Sequence, residues 1–230
     1  MSSEAKRNEI AESVRDRAEM YRLLAQVYFK PLSQEQIDAL AQAGLAALAA
    51  DDASPLADGY NDVYRYLRRM NTGTRQELAS DFTSVFYGIQ TYEGRAAQPI
   101  ESLYRSDGGL VMGKASGEVY RAFRESRVKV HEGLDLPDDH LSFLFEFMAY
   151  LCERIATYVE NGHWQEAMQT LDEQRAFFKR HIASWFPRFK AIANKLVATR
   201  FYRGWLKITQ AFLADEEDSF QTLEEALQAQ

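Results

Sequence analysis

The stretch from Leu134 to Ile155, LDLPDDHLSFLFEFMAYLCERI, limits the possible folds more than any other part of this chain. Leu141, Leu144, Phe145, Met148, Leu151, Cys152, Ile155 and Tyr158 recur every three or four residues, which puts them on one broad apolar face of a helix. A face that wide has to be covered by other elements, so the rest of the chain must pack around it. Pro137 suits a first helical position and Asp138 and Asp139 suit the positive end of a helix dipole, so the helix is predicted to start there. Three ionisable residues in a row, Asp138, Asp139 and His140, thus stand at the mouth of a greasy element.

Other segments repeat the helical period. Ile10, Val14, Ala18, Tyr21, Leu24, Ala25 and Tyr28 mark a first amphipathic helix that must end at Lys30-Pro31, because a residue before proline is driven out of the helical region. Ser33 and Gln36 form a capping box for a second helix, predicted to run to Ala50. A third carries Val63, Tyr64, Leu67 and Met70, and a fourth, capped by Thr74 with Glu77, turns Leu78, Phe82, Val85 and Phe86 inward. Ile89–Asp107 reads as a long irregular loop, the kind of segment that in compact proteins usually carries function. Helical character returns through Val119, Tyr120 and Phe123. Beyond the central helix come predicted helices from about His163 to Trp185, through Phe189, Ile192 and Leu196 after a break at Pro187, and through Phe201, Trp205, Ile208 and Phe212. No alternating run argues for a strand.

The expectation is an all-α, multi-helix bundle in one chain of 230 residues. Residues 1–123 form an N-terminal half, the polar segment 124–136 a hinge, 137–214 a C-terminal half, and 215–230 an acidic tail that adds a short helix or frays.

With 46% hydrophobic residues the chain has material for a sizeable core, and a formal charge of −7 argues against nucleic acid as a partner, since phosphate binding leans on clustered Lys and Arg. Cys152 is the only cysteine and lies on an apolar helix face, where it reads as a buried thiol. No apolar run approaches the ~20 residues that span a bilayer, and the charged N-terminus does not read as a signal peptide. A cytoplasmic location without membrane insertion is the resulting expectation.

The chemistry-bearing constellations are few. Gly108–Ala115 nearly matches a phosphate loop, but Ala115 replaces the hydroxyl residue that would hold Mg²⁺ and no buried strand precedes it. Glu160 and His163 have the spacing of one half of a di-iron motif, yet Gly162 between them marks a helix end, and Asp138, Asp139 and His140 are adjacent rather than three or four apart. No metal is expected. Nor is there a nucleophile elbow, and the lone cysteine lacks an activating environment, so no catalytic residue is assigned. Taken alone, Asp138 and Asp139 read as helix-start acids, His140 as a hydrogen-bonded ring, and Phe82, Phe86, Tyr87 and Tyr92 as core aromatics.

Three motifs in order change that reading: FTSVFYG at Phe82–Gly88, PIESLYRS at Pro99–Ser106 and LPDDHL at Leu136–Leu141. Together with FFKRHI at Phe177–Ile182, WFPRF at Trp185–Phe189 and Phe201-Tyr202, they closely resemble the TorD/DmsD/NarJ family of cytoplasmic chaperones for molybdenum-containing redox enzymes, and the similarity covers nearly the whole chain. The resemblance implies an all-helical, non-enzymatic chaperone without a cofactor of its own. Such a chaperone binds the twin-arginine leader of an exported apoenzyme and holds it until molybdopterin is inserted.

By motif position the resemblance assigns Pro137, Asp139 and His140 to leader binding, and aligns Phe82, Val85, Phe86, Pro99, Glu101, Ser102, Tyr104 and Ser106 with the family's other elements. A leader with two guanidinium groups before an apolar run calls for carboxylates at the lip of a hydrophobic groove. On that reading Asp139 and Glu101 pair with the arginines or order the groups that do, and His140 positions an acid or a backbone carbonyl. Phe82, Val85, Phe86 and Tyr104 receive the apolar run. The chain is then a monomer or a dimer that exchanges halves. The alternative is a helical adaptor that binds a folded redox-enzyme subunit without any leader groove.

Overall fold

The computed structural model describes residues 3–51, 53–105, 114–130 and 133–230, and within them the chain forms eleven α-helices and one minimal hairpin. Helix α1, Ser3–Phe29, stops where Lys30-Pro31 requires. Ser33 caps α2, Gln34–Gln42, through the reciprocal pair Gln36 N–H to Ser33 Oγ (3.2 Å) and Ser33 N–H to Gln36 Oε1 (2.9 Å). The predicted continuation to Ala50 is broken at Gly44, whose φ of 68° lets the chain turn before α3, Leu45–Ala49. Helix α4 is Ala57–Leu67 and α5 is Thr74–Phe86. Thr74 does not make the expected capping box: its hydroxyl accepts from the Asn71 N–H (2.9 Å), and Gly73 occupies the cap position.

The segment expected to be irregular contains β1, Thr91–Tyr92, paired antiparallel with β2, Arg95–Ala96, around Glu93 and Gly94, both at positive φ. Two residues per strand are too few to leave an alternating pattern in a sequence. Helices α6, Ser102–Arg105, and α7, Lys114–Glu125, follow.

The central helix, α8, runs from Leu141 to Glu160. It starts four residues later than Pro137 suggested, because Pro137 to His140 close a turn (His140 N–H to Pro137 O, 2.9 Å) and His140 becomes the cap. Helix α9, Trp164–Phe178, widens into a π-helical turn, Lys179–Ala183, before α10, Phe186–Leu196. Helix α11, Arg200–Gln228, continues straight through the acidic tail. The tail does not fray because Glu216 is fully buried, bonded to the Tyr21 hydroxyl and the Arg17 guanidinium of α1.

The chain divides into two compact units. The first comprises Met1–Ala25, Ile100–Trp185 and Asp215–Gln230, the second Gln26–Pro99 and Phe186–Ala214. Each unit therefore draws on chain from both sides of the 124–136 segment, rather than splitting there. In the first, α8 packs on α9, with Phe123, Phe147 and Phe177 as a ring cluster (centroids 4.6 to 6.3 Å apart) and Cys152 accepting from Gln174 Nε2 at 3.0 Å. Burial pushes that thiol up to about 11, so it stays protonated and inert.

In the second unit, Phe82 and Phe86 contact each other at 5.1 Å and both contact Tyr202, and Phe86 also meets Tyr28 and Phe189. Asp81 fixes the start of α11, its carboxylate accepting from the Ala198 and Thr199 N–H groups (3.0 and 2.8 Å) and the Thr199 hydroxyl (2.6 Å). Charge-assisted bonds of this kind are about twice as strong as neutral ones.

Candidate functional site

Two of the singled-out motifs, 37 residues apart at Asp139 and Ser102, meet directly in the first unit. Ile100 and His140 form an isolated antiparallel bridge, and the Glu101 N–H donates to the Asp139 carbonyl (3.1 Å). The Asp139 carboxylate turns back to accept the Ser102 N–H through Oδ2 (2.8 Å) at the start of α6. Asp139 is 0% exposed, and its Oδ1 has no hydrogen-bond partner among the described residues. Asp138, its neighbour, is only part-buried, and burial followed by the Asp139 charge raises its carboxyl above the usual range.

Glu101 is 0% exposed and lies at the centre of an ionic network. His181 Nδ1 is 3.0 and 3.1 Å from its two carboxylate oxygens, and Arg105 Nη1 is 2.5 Å from Oε1. An ionised carboxylate only accepts, so the His181 proton resides on Nδ1. Arg105 also reaches Glu118 on α7 (3.5 Å), which Arg180 grips with two bonds, Nη2 to Oε1 at 2.7 Å and Nε to Oε2 at 3.0 Å. The hydrogen bond from Arg180 is the main reason the Glu118 carboxyl is held below its ordinary range. Arg180 and His181 both lie in the π-helical turn, where they address two acids from consecutive positions; such turns are frequent at functional sites. The turn is braced by Trp185, whose Nε1 donates to the His181 carbonyl (2.5 Å) and whose ring stacks on Tyr104 at 5.3 Å.

Glu101, Ser102, Tyr104, Pro137, Asp139 and His140, expected at the site from their motifs, all lie in the first unit. Arg105 and His181 as partners of Glu101, and Glu118 and Arg180 beyond them, were not expected, although Arg105 lies in PIESLYRS and Arg180 and His181 lie in FFKRHI. Phe82, Val85, Phe86 and Pro99 belong to the second unit, where all four are buried and the two phenylalanines are packed in its aromatic cluster. Those apolar side chains are core rather than an open groove. Ser106 and Gly108–Gly113 of the phosphate-loop-like stretch lie outside the described residues.

Among the described residues His140 meets the backbone at the start of α8. Its Nδ1 accepts the Ser142 N–H (3.2 Å), which makes it the cap of α8 and requires a neutral ring with the proton on Nε2. Burial pushes its pKa down to about 4. The unfolded chain binds this proton near pH 6.5 and the folded chain only near 4, so the ring's contribution to stability is complete above about 6.5 and is lost as pH falls through that window. Urea unfolding should show up to about 3 kcal/mol lost from this group between pH 7 and 4, and His140→Asn, which caps without titrating, should remove that part of the slope. An identical pH slope in both proteins would contradict the assigned protonation state.

A cavity of about 460 Å³ in the first unit is walled by α1, α8, α9 and α11, with Ile10, Val14, Phe220 and Leu223 beside the Arg17–Glu216 pair. It shares no residue with the motif set. No group of three or more His, Cys, Asp or Glu fit to hold a metal occurs among the described residues, and no helix among them is long and apolar enough to cross a membrane.

Among the described residues the fold is many-helical, and the charges at the motifs form a buried acid–guanidinium network. Residues 34–191 match a family model described as nitrate reductase delta subunit, more than half of the chain, and the chain belongs to that family, the TorD/NarJ family of chaperones. Three relatives are each named chaperone protein TorD. One from Vibrio vulnificus (strain CMCP6) is 29% identical over 208 residues, covering 88% of this chain and 93% of the relative. One from Vibrio cholerae (strain ATCC 39541) is 28% identical over 207 residues, with 87% and 90% covered. One from Shewanella amazonensis is 32% identical over 207 residues, with 78% and 81% covered. The chain is thus a redox-enzyme maturation chaperone of a non-catalytic family.

Proposed function

We propose that this chaperone binds the twin-arginine leader of a molybdenum-containing oxidoreductase precursor in the cytoplasm and holds the apoprotein for molybdopterin insertion before export. The observation that carries this reading is the pair Glu101 and Glu118, two carboxylates built to take guanidinium groups, one of them bidentately. Asp138 adds a part-exposed acid whose carboxyl is raised first by burial and then by the Asp139 charge, and a nearby cation would favour its ionised form. Asp139 and His140 order the motif, by fixing α6 and α8 respectively, and Tyr104 braces it through Trp185. Phe82, Val85, Phe86, Pro99 and Ser102 support the reading only as scaffold, and Ser106 by motif position alone.

An exposed ion pair contributes at most about 1 kcal/mol, whereas a partly desolvated, hydrogen-bonded one reaches about 2–3. Affinity for a leader then comes mostly from its apolar run, and selectivity from its arginines. Anisotropy titration of a fluorescent twin-arginine leader against wild type should give binding about tenfold tighter than its double-lysine variant, equivalent to about 1.4 kcal/mol. Glu118→Gln should weaken the arginine form and flatten the preference. Equal affinity in all four combinations would sink the electrostatic part, and equal capture of mature enzyme and precursor would favour the adaptor reading.

A further inference from the structure

Both acids that this reading assigns to the leader are already occupied by arginines of the chain itself. Arg105 lies between Glu101 (2.5 Å) and Glu118 (3.5 Å), and Arg180 completes a two-bond fork on Glu118. We propose that Arg105 and Arg180 are an internal stand-in for a leader's arginine pair, a plug that fills the acid site of the free chaperone and is displaced when a leader docks. The inference rests on the leader-binding reading above and adds its regulation.

The burial of the four groups is asymmetric in the way a plug requires. The carboxylate side chains are 0% and 13% exposed, while those of Arg105 and Arg180 are 30% and 54% exposed. Buried anions without cations are costly, so the free protein has to keep them compensated. Arg180, 54% exposed, loses little by swinging into water, because exposed ion pairs contribute little, whereas the part-buried Arg105 leaves Glu101 only as an incoming guanidinium replaces it. Lys114, 90% exposed and 4.0 Å from Glu118, is too far and too solvated to take over. His181 remains on Glu101 throughout and keeps that carboxylate oriented.

Docking then becomes an exchange of guanidinium for guanidinium. The number of ion pairs at the acids is unchanged, so leader binding to wild type depends only weakly on salt. A lysine leader cannot restore the two-bond fork on Glu118, so it fails to displace the plug. Selectivity for arginine over lysine arises from competition with the chain's own arginines rather than from the acids alone.

The test uses the full-length chain as wild type, Arg180→Gln and Arg105→Gln/Arg180→Gln, with two probes: diarginine amide and the fluorescent twin-arginine leader, each beside its lysine counterpart. The single variant removes only a surface-exposed partner and stays folded, which keeps the experiment readable if the double variant is unstable. Diarginine amide should raise the melting temperature of the variants and not that of wild type. The leader should bind the variants about tenfold more tightly than wild type, with a steeper salt dependence and a smaller arginine-to-lysine ratio.

Variants that bind leader no better than wild type and gain no stabilisation from diarginine amide overturn the plug while leaving leader binding intact. Diarginine stabilisation confined to the variants, with no leader bound by any form, keeps the plug and removes the leader reading. Absence of both responses overturns both.

Discussion

Glu101→Ala should destabilise the protein by roughly 3–5 kcal/mol, the usual cost of removing one member of a buried ion pair. The side chain is 0% exposed and bonds His181 and Arg105 at 3.0 and 2.5 Å, so its loss strands an imidazole N–H inside the first unit and releases a guanidinium beside it. For a chain of this size the melting temperature should fall by roughly 10 °C. Glu101→Gln retains an acceptor for His181 and forfeits the charge, and should cost about 1–3 kcal/mol. Melting temperature rising in the order alanine, glutamine, wild type, with leader affinity rising in the same order, is the expected result. A glutamine variant as unstable as alanine would show that charge, rather than hydrogen bonding, holds the network.

The second large effect is steric. Gly59 on α4 and Gly204 on α11 let two helix backbones touch within the second unit. A Cβ on Gly204 would lie 2.7 Å from the Gly59 carbonyl oxygen and 3.0 Å from the Val63 nitrogen, and one on Gly59 would lie 2.8 Å from the Ile208 nitrogen. Backbone atoms cannot step aside as side chains do, so the two helices must separate. Overpacking of this kind costs about 3 kcal/mol, against about 1 gained from alanine's better helix propensity. Gly204→Ala should therefore lose about 2 kcal/mol, seen as a melting temperature lower by roughly 4–8 °C. The exposed Gly117 of α7, with nothing within 4 Å of its would-be Cβ, is the control: there alanine should stabilise by up to about 1 kcal/mol. Opposite signs at the two sites are the expected outcome, and a stabilising Gly204→Ala would mean that the helices do not touch.

Much of the candidate site was legible because its residues lie in short contiguous motifs, but their roles were not. Asp139 and Glu101 looked like acids waiting at a lip, and both proved buried and internally bonded. A carboxylate's environment depends on what packs over it, and nothing in PIESLYRS or LPDDHL states that Ser102 N–H and His181 will arrive there. Phe82, Val85 and Phe86 were equally ambiguous, since a helix face built for a core and one built for a peptide share the same spacing.

By itself the sequence determined what local forces decide: the all-helical character, the stop of α1 before Pro31, the Ser33–Gln36 cap, and the apolar face of α8, all set by interactions within a few residues. Tertiary structure alone decided the rest. Glu101 meets His181 80 residues on, Gly59 meets Gly204, and α11 runs on through an acidic tail because Glu216 finds Arg17 and Tyr21. Helical periodicity tells which face of a segment is buried, and carries no information about which distant side chain will complete it.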